Sequence, residues 1–458
     1  MAVTLAGRFP QAAAADVRSR FRMQKLVIDG GVPLSGTVLP AGNKNGALPI
    51  LAASALTSQE VVVRNVPRIR DVEAMLRVLG GIGVSAEWRD ENELILCGAG
   101  LDRDAVIDRD HAESIRASFL LAGPLLARNG RALMPPPGGD VIGRRRLDPH
   151  LDAFGALGAR FADSDRNIDL SAPGGRLRPG HVFMDEPSVM ATENALMAAA
   201  LTPGETVIGN AACEPHVQDL ARMLVKMGAD IRGIGSNVLK ITGKPELGGC
   251  KHDIGPDHIE IGSFMALAGV TGGEVRIKDT EPDDLRMIRL VFRRLGLHTE
   301  LDGADVIVPG GQKLVAQRDV GEYKCKVQDG PWPAFPADLT SIAIALATQC
   351  EGSVLIHEWM FENRLIFTDK LVLMGADITL CDPHRAIVSG PKRLRGERLE
   401  SPDIRAGMAM LIAALAADGT STIGNVGQID RGYERIDERL RDLGARIERV
   451  ATEPAVAA

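Results

Sequence analysis

The stretch KLVLMGADITL, residues 370–380, carries the pattern that decides the fold: an apolar helical segment, then a glycine, then a short strand. Glycine ends a helix at this point because it adopts the left-handed conformation without Cβ strain. The intervals between matching glycines, 75, 70, 68, 79 and 69 residues, exceed a solenoid repeat and suit a small α/β unit. The six glycines that share this position are Gly83, Gly158, Gly228, Gly296, Gly375 and Gly444.

Each unit also has a first half, in which an Ala-rich apolar helix is followed by a turn and a strand. Examples are ENALMAAALTPGETVIGN at 193–210 and SIAIALATQCEGSVLIHE at 341–358. Helices that are apolar nearly all round belong in a protein interior, so the sheets must pack outside them. The sequence therefore predicts an α/β fold of six repeated units with buried helices and outer sheets.

Length and composition limit the function. A chain of 458 residues predicts two or three domains, and a net charge of -7 offers no general basic surface for nucleic acid or an anionic membrane. The six cysteines show no zinc-ligand spacing, and no stretch is long and apolar enough to span a membrane. Residues 1–22 lack the apolar run of a signal peptide, and we expect them to be a disordered extension before Met23.

Polar residues gather just before the apolar helices and in the loops after the strands. Lys44 with Asn45, Asp338 and Arg405 precede such helices, and Asp140 lies in the glycine-rich loop PGGDVIGRRR at 137–146. Helix N-termini and loops favour anion binding, so these positions are candidates for a site that holds anionic substrates.

Seven segments resemble, in the same order, the signature segments of the UDP-N-acetylglucosamine enolpyruvyl transferases. The resemblance runs from about Met23 to Val450, and it implies a two-domain inside-out α/β barrel with three units per domain. One domain is then expected at 44–255, and the other at 23–43 plus 256–458. The segments are AGNKNGALPI (41–50), IRASFLLAGPLLA (115–127), PPGGDVIGRRRLDPHL (136–151), PHVQDLARML (215–224), PWPAFPADL (331–339), FENR (361–364) and IDRGYERIDERL (429–440).

The resemblance implies transfer of the enolpyruvyl group of phosphoenolpyruvate to the 3-hydroxyl of UDP-N-acetylglucosamine, with release of phosphate. This is the first committed step of peptidoglycan synthesis, and it takes place in the bacterial cytoplasm. Its partners are the two small-molecule substrates, and no metal or organic cofactor is implied. The sequence leaves the oligomeric state open.

The resemblance also assigns residues to phosphoenolpyruvate and to proton transfer. Asp338 matches the base for the acceptor hydroxyl, although an aspartate before an apolar helix also favours an N-cap. Asp140 matches the proton donor, and Lys44 and Arg431 complete the implied catalytic set. The residues implied to bind phosphoenolpyruvate are Lys44, Asn45, Arg145, Arg405 and Arg431, of which the arginines can make paired hydrogen bonds to phosphate and carboxylate.

The segment implied to bind the UDP-sugar departs from the family at two places. Glu186 falls where some members carry a basic residue, and His258 stands where arginine is frequent. An enolpyruvyl transferase that acts on another nucleotide acceptor in natural-product synthesis therefore stays an alternative, as does a silent UDP-sugar-binding paralogue. Arg364, in the segment FENR, matches a residue that is implied to be important for the conformation of these enzymes. The residues implied to bind the UDP-sugar are Arg116, Arg145, Arg146, Leu147, Asp148, Pro149, Ser188, Val189, Asp338 and Met360.

Asp140 occupies a position that is cysteine in most members of the family. The cysteine thiolate is alkylated by the epoxide fosfomycin, and a carboxylate is a much poorer nucleophile, so we expect insensitivity to the drug. Neighbouring arginines favour the charged form of a carboxyl, yet a proton donor must hold its proton. We therefore expect Asp140 to take up its proton together with the substrates.

Overall fold

The structure is a computed structural model that describes residues 24–140, 142–164 and 166–451. The predicted extension at 1–22 lies outside these residues. In the described part of the chain, no helix is both long enough and apolar enough to cross a bilayer.

Six helices, one per repeat, lie in the interior and are buried over most of their length. They include His258–Thr271 and Ile404–Ala416, in which most side chains are apolar and nearly all residues are buried. Such helices cannot present a polar face to water, which is why they pack together in the centre. The six central helices are Lys44–Ala53, Ala122–Asn129, Val189–Ala200, His258–Thr271, Thr340–Ala347 and Ile404–Ala416.

A second set of helices precedes the repeat glycines and buries only one side. In Pro215–Lys226, for example, Val217, Leu220 and Leu224 are buried. These helices are Arg70–Gly81, Asp148–Ala156, Pro215–Lys226, Arg286–Arg294, Thr368–Leu373 and Ile436–Asp442, and a short helix covers Arg109–Ser114. The six repeat glycines have φ between 85° and 110°, which confirms the predicted left-handed helix stop.

In the described residues six sheets cover the helices, and strands that lie inside a sheet alternate buried and more exposed residues; in Gln24–Asp29, for example, Leu26 and Ile28 are buried. Five sheets have four strands with a parallel pair at one edge, and the sheet of the second repeat has three. The three sheets around the first core have, in order across each sheet, the strands Cys250–Asp253, Glu60–Arg64, Leu94–Cys97 and Ser85–Trp88; Arg131–Met134, Asn167–Ser171 and Arg160–Ser164; and His181–Phe183, Gly204–Gly209, Val238–Gly243 and Asp230–Arg232. The three sheets around the second core have, in the same way, the strands Gly36–Val38, Val275–Ile277, Asp305–Val308 and Glu300–Asp302; Cys325–Gln328, Gly352–His357, Arg385–Gly390 and Asp377–Asp382; and Arg398–Glu400, Thr420–Gly424, Gln24–Asp29 and Arg446–Ala451.

The buried apolar side chains form two separate cores. One core draws on residues 47–254, and the other combines residues 26–38 with residues 259–447. The strand Gln24–Asp29 joins the second core by pairing antiparallel with Thr420–Gly424 on one side and Arg446–Ala451 on the other. The predicted α/β architecture of buried helices and outer sheets is confirmed.

Candidate active site

A cleft between the two cores has an empty volume of about 1320 Å³. Both cores contribute residues to its wall, and most of the candidate site residues from the sequence analysis line it. Those on the wall are Lys44, Asn45, Arg116, Asp140, Arg145, Val189, His258, Asp338, Met360, Arg364, Arg405 and Arg431. Arg146, Leu147, Asp148, Pro149, Glu186 and Ser188, by contrast, do not line this cavity.

Lys44 enters the cleft because it begins the first central helix. Asn43 caps that helix by accepting a hydrogen bond from the Gly46 amide at 3.0 Å, and the Lys44 amide donates to Asp257 Oδ2 at 3.1 Å. The Lys44 Nζ atom lies 3.0 Å from Asp71 Oδ2. The helix start and the buried carboxylate together hold the ammonium group in one place.

Asp71 also binds Arg431, which approaches from the other core. Arg431 Nε donates to Asp71 Oδ1 at 2.9 Å, and its Nη1 donates to Asp140. Burial raises the pKa of Asp71, but Lys44 and Arg431 outweigh burial, so the pKa lies below its ordinary value. The sequence did not identify Asp71, because an acid in the first turn of a helix is commonly a partner of the helix dipole.

Asp338 is held between two arginines. Arg405 donates to Asp338 Oδ2 from Nε at 3.1 Å and from Nη2 at 2.9 Å, and Arg364 Nη2 donates to Asp338 Oδ1 at 2.9 Å. Burial raises the pKa of Asp338, but Arg405, Arg364 and Lys44 together outweigh burial, so the pKa lies well below its ordinary value. The predicted N-cap role of Asp338 is wrong: it lies in the 3-10 turn Ala337–Leu339, and the helix Thr340–Ala347 begins without a side-chain cap.

The loop that carries Asp140 is docked on both cores. Arg116 Nη2 donates to the carbonyls of Arg145 and Arg146 at 2.7 and 3.2 Å. From the second core, the Asn363 amide donates to the carbonyl of Ile142 at 3.0 Å. Gly139 has φ of 106°, and a Cβ there would lie 2.9 Å from Arg116 Cβ, so the turn that presents Asp140 requires glycine.

The Arg145 guanidinium lines the cleft without a hydrogen-bond partner among the described residues. Burial lowers the pKa of Arg145, and the charges of Asp140 and Asp338 partly oppose that effect. A half-buried cation without a direct hydrogen-bond partner favours an anionic ligand.

The Arg146 guanidinium instead forms ion pairs with acidic residues that do not line the cleft. Its Nη1 donates to Asp185 Oδ2 at 2.7 Å and lies 3.9 Å from Glu186 Oε2. Its Nε lies 3.4 Å from Asp148 Oδ2. Glu186 therefore faces a cation of its own chain.

His258 stacks on His216, with ring centroids 6.1 Å apart and planes 8° apart. Burial lowers the pKa of His258 to about 4 and that of His216 to about 3, so both rings are neutral near neutral pH. Beside them, Glu193 and Glu214 each leave one buried carboxyl oxygen without a hydrogen bond. Burial raises the pKa of both carboxyls, and these residues give the cleft a wall of weakly charged polar groups.

Comparisons with known proteins agree with this architecture. Residues 28–440 match the model of the family described as EPSP synthase (3-phosphoshikimate 1-carboxyvinyltransferase). The structure of the enolpyruvyl transferase NikO from Streptomyces tendae is 25% identical, with a TM-score of 0.82 over 94% of this chain and 100% of that chain. An EPSP synthase from Acinetobacter baumannii shares the fold with a TM-score of 0.70 over 93% of this chain and 100% of that chain, at 20% identity.

Curated relatives are considerably more similar in sequence. A UDP-N-acetylglucosamine 1-carboxyvinyltransferase of Bradyrhizobium diazoefficiens is 55% identical over 93% of this chain and 97% of its own length. An enzyme with the same name from Treponema denticola is 52% identical over 93% of this chain and 99% of its own length. The chain therefore belongs to the EPSP synthase family of 1-carboxyvinyltransferases, and within it to the UDP-N-acetylglucosamine 1-carboxyvinyltransferases.

Proposed function

We propose that the protein transfers the enolpyruvyl group of phosphoenolpyruvate to the 3-hydroxyl of UDP-N-acetylglucosamine and releases phosphate, the first committed step of peptidoglycan synthesis. The observation that carries this proposal is the meeting of cations and carboxylates in one cleft: Lys44, Arg145, Arg405 and Arg431 converge with Asp140 and Asp338. Such a reaction needs cations for phosphate and carboxylate, an acid for the methylene carbon and a base for the hydroxyl.

Asp140 is the proposed acid, and it contacts Arg431, one of the cations proposed to bind phosphoenolpyruvate. Arg431 donates to both Asp71 and Asp140. A bound phosphate group competes for Arg431 and brings negative charge close to Asp140. The contact with Arg431 thus places the proposed proton donor beside the proposed phosphate site.

Asp338 is the proposed base, and Asn45 and Met360 lie on the same cleft wall. We assign the nucleotide to the segment Arg145–Pro149 with Arg116, Ser188 and Val189. Because Arg146 is paired with Asp148, Asp185 and Glu186, diphosphate binding here requires Arg146 to exchange at least one of these partners.

The two cores support a division into one domain at 44–255 and a second at 23–43 plus 256–458. The chain passes between them near Gly42 and Pro256, which form an isolated bridge. The Asp140 loop touches both domains, so its contacts with Glu362 and Asn363 are suited to closing the cleft over substrates. We place the enzyme in the bacterial cytoplasm, which the bacterial origin of its relatives supports.

The test measures phosphate release from phosphoenolpyruvate by the purified protein, with UDP-N-acetylglucosamine as acceptor. UMP serves as the alternative acceptor, because a natural-product role requires a different nucleotide. Release with the UDP-sugar and loss of activity in Asp140→Asn support the proposal. No release with the UDP-sugar contradicts it, and release with UMP alone favours the alternative.

A further inference from the structure

The base Asp338 has an unusual setting for a group that must accept a proton. Both of its carboxylate oxygens already accept hydrogen bonds from guanidinium groups, Oδ2 from Arg405 and Oδ1 from Arg364. These contacts hold the pKa of Asp338 far below its usual range although burial raises it. For Asp338 to accept a proton readily, at least one guanidinium must move away.

Arg364 has a second carboxylate on its other side. Its Nε lies 3.8 Å from Oε2 of Glu358, and neither atom has a hydrogen-bond partner. Both side chains are almost fully buried, at 4% and 0% exposure, so water does not replace the missing bond. A small movement of the guanidinium toward Glu358 would make that hydrogen bond and lengthen the one to Asp338.

We propose that Glu358 is a positioning residue that competes with Asp338 for Arg364, and that this competition sets how readily Asp338 accepts the proton of the acceptor hydroxyl. The inference rests on the proposed function and adds a control element to the same site. In the addition step, the hydroxyl O–H bond breaks, its proton goes to Asp338 Oδ1, and the oxygen bonds to the central carbon of phosphoenolpyruvate. The carbon–carbon π bond breaks at the same time, and its electron pair takes a proton from Asp140 at the methylene carbon. In the elimination step that follows, the methyl carbon loses a proton, the double bond re-forms and the C–O bond to phosphate breaks, which releases phosphate.

The groups around Glu358 determine its charge. Burial raises its pKa, Arg364 lowers it and Asp329 raises it, which brings the pKa to about 8. The amides of Met360 and Phe361 donate to Glu358 Oε1 at 3.3 and 3.0 Å. The His384 ring contacts only the Glu358 backbone carbonyl, through Nδ1 at 2.8 Å.

The direction of the pH effect follows from these contacts. Below a pH of about 8, Glu358 is protonated and Arg364 stays on Asp338. Above it, the ionised Glu358 attracts Arg364, and Asp338 becomes the stronger base. The turnover number is therefore expected to rise with pH through this range.

The experiment compares pH profiles of kcat for the full-length protein and its Glu358→Gln variant, which keeps the acceptor for the Met360 and Phe361 amides but cannot ionise. We expect equal kcat near pH 6.5 and a kcat about tenfold lower in the variant near pH 9. Glu351→Gln, at an exposed acid of the same sheet that pairs with Lys313, is the matched control and should keep the wild-type profile.

A second variant distinguishes positioning from a structural role. Asp329→Asn removes the carboxylate that opposes ionisation of Glu358, so the rise in kcat should move to lower pH. It also provides the test if Glu358→Gln does not fold. Phosphate release with an unchanged pH profile in the variants overturns this inference alone, whereas no phosphate release by the wild type overturns the proposed function.

Discussion

The Nζ atom of Lys44 lies 3.0 Å from Oδ2 of Asp71, although the two residues lie in the first turns of different helices. Arg431 binds the other oxygen of the same carboxylate at 2.9 Å. One buried acid thus fixes the positions of two cations that come from different cores.

Asp71→Asn tests this arrangement through stability. Removal of one partner from a buried ion pair leaves uncompensated charge and is expected to lower the free energy of unfolding by about 3 kcal/mol. Inorganic phosphate should stabilise the variant more than the wild type, because it replaces the lost negative charge. Thermal denaturation with and without phosphate measures both effects. Equal phosphate shifts in the two proteins would speak against the role of Asp71, and Asp169→Asn, at an exposed pair with Arg131, is the control.

Asp140 makes a prediction about chemical reactivity. The carboxylate is a poor nucleophile, so intact mass spectrometry after treatment with fosfomycin should show no adduct on the wild type. Asp140→Cys places a thiol beside Arg431, where the thiolate is favoured, and should gain one adduct. An adduct on the wild-type protein would refute the prediction.

His258 makes a prediction about acid stability. The pKa of His258 is about 4 in the folded protein, whereas the ordinary value for histidine is 6.5. As the pH falls, the unfolded chain therefore binds a proton at this residue before the folded protein does. Stability should therefore decrease below pH 6.5, by about 2 kcal/mol at a pH of about 5 from this group alone. Urea denaturation should show that the free energy of unfolding depends less steeply on pH in His258→Gln than in the wild type. His298→Gln, at an exposed position, should leave the slope unchanged, and an unchanged slope in His258→Gln would contradict the assignment.

Arg145→Lys tests the half-buried cation that has no direct partner. Lysine keeps the charge but loses the fork of donors that binds phosphate or carboxylate in pairs. We expect kcat/KM for phosphoenolpyruvate to fall about 100-fold, the usual scale for loss of a charge-stabilising donor. Steady-state phosphate release measures this, with Arg131→Lys on an outer strand as control. A fall in kcat/KM of less than about threefold is smaller than the effect of losing one neutral hydrogen bond. That result would show that Arg145 does not bind phosphoenolpyruvate.

Most of the fold could be predicted because its signal is repeated six times. The apolar helices and the glycines such as Gly228 and Gly375 are local features, and local features are visible in a sequence. The resemblance supplied the residues that face the substrates. Asp71 and Glu358 were missed because their roles depend on partners brought together by folding, and Arg431 is 360 positions from Asp71. For Asp338, the resemblance supplied the role of base, and only the additional N-cap role suggested by its place before an apolar helix was wrong.

The strand Gln24–Asp29 has a consequence for the order in which the chain is made. It leaves the ribosome before residues 47–254, yet both of its neighbours, Thr420–Gly424 and Arg446–Ala451, leave after them. Residues 47–254 can assemble their own core while synthesis continues. The first strand must wait unpaired until the far end of the chain emerges, so the half of the enzyme that holds Asp338 and Arg405 is completed last.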